Sequence, residues 1–121
     1  MVKLLRTNKG GNQMSITAKI IEDIREKVVL YERNSGFAEA KANVISGLKE
    51  HKQNKSIKFQ LKEAETYKEQ FEREAENSYR EAHRLFENYK DDFDSEELKE
   101  ANELMERLNL GVGFIDHDRD Q

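Results

Sequence analysis

"LYERNSGFAEAKANVISGLKEHKQNKSIKF", residues 30–59, decides how many helices the chain makes, because it holds both places where a helix can stop. The first is Asn34-Ser35-Gly36. Upstream of it, Ile20, Ile21, Ile24, Val28 and Tyr31 recur at spacings of three and four, which puts them on one face of a helix that Ser15 or Thr17 can cap. Gly36 is free to take the left-handed conformation that closes helices, so the sequence predicts a stop there. A second helix then presents Phe37, Ala40, Val44, Ile45 and Leu48. Gly47 inside it either weakens the helix by about 1 kcal/mol relative to alanine or admits the close approach of another backbone. The short connection makes the pair a helical hairpin. The second stop is "HKQNKS", residues 51–56, polar but without a strict breaker. It reads as a loop, with a helix running straight through as the alternative.

Working outward, a third helix is expected over about residues 56–90, roughly 50 Å long. Its inward line is Leu61, Ala64, Phe71, Ala75, Ser78, Ala82, Leu85 and Tyr89, flanked by Tyr67, Tyr79, Phe86 and Phe93. The alternation is heptad-like, with Lys68 interrupting it, and the alanines allow a neighbouring helix to come close. Glu69–Arg73 and Glu76–Arg80 stand at i,i+4 on the outer face. A short fourth helix follows Asp94 or Ser95, with Glu97 placed for a capping box and Leu98, Ala101, Met105 and Leu108 as its apolar stripe. Gly111 reads as its stop, with Val112 packing back, and Phe114 and Ile115 as docking points in a solvated tail.

Composition agrees with an all-α chain. There is no proline among 121 residues, and the polar positions are mostly glutamate, lysine, glutamine and arginine, all good helix formers. Charged residues make up 38%, well above the usual quarter or so, so the core is thin. The expected fold is a helical hairpin, a long helix and a short C-terminal helix, as a small bundle or a dimeric helical assembly. Residues 14–110 form its single domain, 1–13 a leader and 111–121 a tail. "KGGNQM", residues 9–14, can be encoded as AAA GGA GGT AAT CAA ATG, a ribosome-binding site followed by a start codon, which makes Met14 a candidate natural start; the alternative is a basic arm of Lys3, Arg6 and Lys9 on a Gly-Gly hinge, and on either reading the leader is expected to be disordered.

Several chemistries are excluded or disfavoured. The chain has no cysteine, hence no disulfide, thiol nucleophile or cysteine-based zinc site. No apolar run has the length of a membrane span, and the N-terminus lacks the apolar stretch of a signal peptide, so a cytoplasmic protein is expected. His83 and Glu87 share a helical face, but Arg80 stands where the bundle di-iron motif needs glutamate. Asp92, Asp94, Glu96 and Glu103 have the spacing of a calcium loop, but its turn glycine is replaced by Glu97. Nothing marks a catalytic pocket or a phosphate-binding loop. The expectation is a non-enzyme with no metal and no cofactor.

Charge is sorted along the chain. Residues 1–62 carry 13 lysines and arginines against 6 acids, a net of +7; residues 63–121 carry 8 against 19, a net of −11. The simplest account has a basic hairpin lying against an acidic helix. The expected function is a helical module that binds and regulates or inhibits another protein. One version is an acidic, nucleic-acid-mimicking face of Glu69, Glu72, Glu76, Glu96, Glu100 and Glu103 that occupies a basic nucleic-acid-binding enzyme. The alternatives are a small nucleic-acid-binding regulator using Lys49, Lys52, Lys55, Lys58 and Lys62, and a homo-oligomeric assembly protein whose aromatic line forms a shared core. Size and lysine-, glutamate- and asparagine-rich composition suggest a small phage or mobile-element product.

Overall fold

A computed structural model describes residues 15–110; the expected leader and tail lie outside them. Three α-helices account for most of this span: α1 (Ile16–Lys49), α2 (Lys55–Tyr89) and α3 (Ser95–Leu110), with a single 3-10 turn, Lys90–Asp92, between the last two. Among the described residues there is no strand. The all-α reading stands, and so do the long helix near 56–90 and the short helix after it.

The expected turn at Asn34-Ser35-Gly36 does not form. α1 runs through it as one helix of 34 residues, about 51 Å long. The Asn34 side chain donates to the Leu30 carbonyl 3.1 Å away, bonding back one turn instead of interrupting the helix. Ser35 points inward, and Gly36 faces open space. The cost of a mid-helix glycine, about 1 kcal/mol, is outweighed by packing further along, where Ala38 and Ile45 are buried. The phase of the second segment changes accordingly: Ile45 stays inward, while Phe37, Ala40 and Val44 turn outward.

The chain reverses at residues 50–54 instead. The Glu50 and His51 N–H groups bond to the Gly47 and Leu48 carbonyls in a tightened last turn. The Gln53 amide donates to the Leu48 and His51 carbonyls. Asn54 then caps α2, its side chain accepting from the Ile57 N–H at 2.9 Å. The result is an antiparallel hairpin of two long helices, with Tyr31 stacked near Tyr79, and Phe37 near Phe71.

α3 covers only one end of that hairpin. Asp94 and Glu97 form the expected capping box, with reciprocal bonds of 2.8 and 3.0 Å. The second Glu97 oxygen accepts from the Thr17 hydroxyl at 2.8 Å, which pins the start of α3 to the start of α1. At the far end Arg107 makes a bidentate pair with Glu32, and the Tyr79 hydroxyl donates to Asn109. The main core lies in this three-helix head: Ile21, Ile24, Val28 and Tyr31 from α1; Ala75, Tyr79, Ala82 and Leu85 from α2; Ala101, Leu104, Met105 and Leu108 from α3, closed by Phe93. Beyond it, residues 36–74 form a two-helix arm. The flank that receives α3 continues there, by helical spacing, as Glu39, Ser46, Glu65 and Glu72, which offer a third helix nothing apolar.

Candidate functional site

The two ends of the molecule differ in charge, and the reversal in the hairpin causes it. Lys49 ends α1, Lys52 lies in the connection, Lys55 opens α2, and Lys58 and Lys62 follow on its first turns; all five are exposed. Residues 49–62 hold five lysines and one glutamate, a net of +4. No ion pair among the described residues involves these lysines. At the opposite end, residues 87–103 hold eight acids and two lysines, a net of −6. The length of α2, about 50 Å, separates the two, several Debye lengths in physiological salt. The basic and acidic halves of the sequence therefore meet only locally. One pair of the expected sign, Arg25–Glu100, joins α1 to α3, and Arg107–Glu32 runs the other way.

The six glutamates of the acidic reading occupy two helices. Glu69, Glu72 and Glu76 share one side of α2 at spacings of three and four. Glu72 is paired with Lys68 at 2.7 Å and Glu76 with Arg80 at 2.8 Å, so neighbouring cations offset part of that charge. On α3, Glu96 and Glu103 lie exposed one heptad apart, while Glu100 turns toward α1 and holds Arg25. α3 packs chiefly on α1 and also meets α2, where the Tyr79 hydroxyl donates to Asn109; the two trios stand on different helices. Elsewhere on α2 the surface pairs are local, and Arg84 holds the Glu81 carboxyl below its ordinary value by a hydrogen bond; between α3 and α1, Glu32 raises the Arg107 guanidinium in the same way.

His83 and Glu87 do not converge. His83 stacks on Tyr79 at 4.6 Å with its Nε2 buried and unpartnered, and Glu87 pairs with Lys90. Asp94, one of the residues with calcium-loop spacing, is committed to capping α3. Among the described residues, no three histidines or carboxylates cluster as a metal site would require. No described helix is long and apolar enough to cross a membrane.

What sequence reasoning placed in the interior, and the structure places outside, is apolar surface on the arm. Phe37 is 47% exposed, Val44 46% and Tyr67 45%; Phe59, within the lysine stripe and not assigned to the interior by its spacing, is 68% exposed. Phe59 and Tyr67 line a shallow groove on the outer side of α2 with Lys62, Glu63, Thr66 and Gln70. Lys41 lies over the Tyr67 ring, 5.2 Å from its centroid, on the other flank of the same helix. The misplaced break at Gly36 hid this surface, since restarting the helix there made Phe37 and Val44 look like its buried stripe. Comparison with protein-family models, curated proteins and solved structures finds no match for the chain.

Proposed function

We propose that the chain is a non-catalytic helical interaction module that binds and regulates another protein. The observation that carries this is the arm. Four large apolar side chains stay exposed on a segment whose two-helix interior holds Ala38, Ile45 and Ala64 and over which, among the described residues, no third helix lies. Exposed aromatics grouped in this way favour a macromolecular partner, because tyrosine and phenylalanine are enriched in the cores of interfaces. In the finer form of the reading the partner is a basic, nucleic-acid-binding enzyme, and the α2 patch of Glu69, Glu72 and Glu76 steers it onto the arm, with Glu96, Glu100 and Glu103 on α3 as a second contact. Affinity capture with the wild-type chain and with a Glu69→Lys/Glu72→Lys/Glu76→Lys variant tests it. The variant should keep its helical spectrum and lose the captured protein, with an association rate that falls as salt rises. Undiminished capture by the variant would end the acidic-face reading.

The lysines at the hairpin tip favour a second reading, a small nucleic-acid-binding regulator. Lys49, Lys52, Lys55, Lys58 and Lys62 project from a narrow end, away from the acidic end that would repel phosphate. Mobility-shift titration with DNA and RNA at low salt separates the two. Tight binding that a Lys52→Glu/Lys55→Glu/Lys58→Glu variant loses would put the nucleic-acid reading first.

A further inference from the structure

The first turns of α2 set an open aromatic ring among lysines. Phe59 is the most exposed ring among the described residues. Lys55 stands one turn before it and Lys62 one turn after it on the same outer face, with Lys58 beside it and Lys52 in the connection; all four are exposed. By helical spacing the side of α2 turned toward α1 carries Ile57, Leu61 and Ala64 instead. From Phe59 a shallow groove runs to Tyr67, about 12 Å further along the helix, walled by Lys62, Glu63, Thr66 and Gln70. Lys41 from α1 already lies over the Tyr67 ring, so Phe59 is the open ring of the pair.

We propose that this groove binds single-stranded nucleic acid, with a base stacked on Phe59 and the strand's phosphates on Lys52, Lys55, Lys58 and Lys62. It rests on the second reading above, the nucleic-acid-binding regulator, and specifies its ligand. Lysines alone draw any polyanion and do not tell a duplex from a strand. An exposed ring does. In a duplex each base is covered on both faces by its neighbours, so a ring on a convex hairpin tip finds nothing to stack on, whereas an unpaired base offers a free face. The groove walls suit the edge of such a base. Thr66, Gln70 and Glu63 supply a hydroxyl, an amide and a carboxylate, which hydrogen-bond the edges that pairing would otherwise occupy. The alternation of cation and ring along α2 matches that of phosphate and base along a strand, which favours nucleic acid over an acidic protein. Glu69 and Glu72, next along α2, repel phosphate and end the path, so the contact is short.

Fluorescence anisotropy of the full chain with a labelled oligothymidine and with a duplex of equal length, at low salt, tests it. The strand should bind about tenfold tighter than the duplex or better, since only the strand gains the stacked base. Its log K should fall with log salt at a slope of about −3, as four lysines on a single strand require. Phe59→Ala should weaken strand binding by about 5–100-fold while leaving the salt slope and the duplex affinity unchanged. Phe59→Trp, which keeps a stacking face, should retain the preference for the strand. Both variants should keep the wild-type melting temperature, because the ring is exposed. Lys62→Gln should instead reduce the slope by about 0.7. Equal binding of strand and duplex, or a Phe59→Ala chain that binds the strand as the wild type does, overturns the groove and leaves the nucleic-acid reading standing. Binding of neither form overturns both, and leaves an acidic protein as the partner of the lysines.

Discussion

Gly36→Ala reads the architecture by the sign of its effect. If the chain turned at Asn34-Ser35-Gly36, with Gly36 in the left-handed region, alanine there would be strained by about 1–2 kcal/mol. In the observed helix Gly36 has no such backbone conformation, and nothing stands within 4 Å of the added methyl group. There is no clash to subtract, so the full helix-interior difference between glycine and alanine applies, about 0.8–1.0 kcal/mol in favour of the variant. For a domain near 100 residues, 1 kcal/mol corresponds to about 4–8 °C. The expected result is a rise of about 4–6 °C in a far-ultraviolet circular dichroism melt. Gly47→Ala is open in the same way and should give a similar rise. The two sites are far enough apart along α1 for their effects to add. A fall in melting temperature for Gly36→Ala would refute the continuous helix and restore the turn.

Two further substitutions test the division into head and arm by urea denaturation. Tyr31→Ala removes a fully buried ring from the three-helix core and should cost about 3–5 kcal/mol; Phe71→Ala, on the half-buried flank of the arm, should cost about 2 kcal/mol. Equal losses would mean that the core extends evenly along the hairpin. Asp94→Ala removes one half of the capping box and should cost about 1 kcal/mol, seen as earlier unfolding of α3 by amide exchange than of the α1–α2 hairpin.

Periodicity made the class and most of the core legible. Ile21, Ile24, Val28 and Tyr31 on α1, and Ala101, Met105 and Leu108 on α3, are buried where their spacing puts them, and Asp94 and Glu97 close the capping box that their spacing signals. The number of helices was not legible, because Asn34-Ser35-Gly36 and residues 50–54 carry local signals of comparable kind. Asn-Ser-Gly has the stronger local tendency to turn. What decides against it is non-local: a break at Gly36 would cost the packing of Ala38 and Ile45 over α2, and no local rule counts that. The true reversal is marked by Gln53 and Asn54, whose side chains satisfy backbone groups on either side of it. In α2, Ala64, Ala75, Ser78, Ala82 and Leu85 are buried as their seam predicts, but Leu61, Phe71 and Tyr89 are only partly so. α3 is too short to cover Leu61 and Phe71, and sequence spacing alone says nothing about where along α2 a covering helix ends.

The change of charge sign along the sequence has a geometric consequence rather than the expected energetic one. An antiparallel hairpin folds the middle of the sequence to a tip, and the basic run sits at that middle, so the lysines gather where no acidic helix reaches them. The third helix returns toward the far end and keeps most of its acids there, its contact with α1 relying on apolar packing and two arginine–glutamate pairs. These pairs are more than a third exposed and contribute at most about 1 kcal/mol each, too little to explain a net difference of eighteen charges between the halves. Attraction between the halves is therefore not what the sorting achieves. It produces a rod with a positive tip and a negative base, and on the proposed function such a rod would orient itself in the field of a charged partner before the apolar arm makes contact.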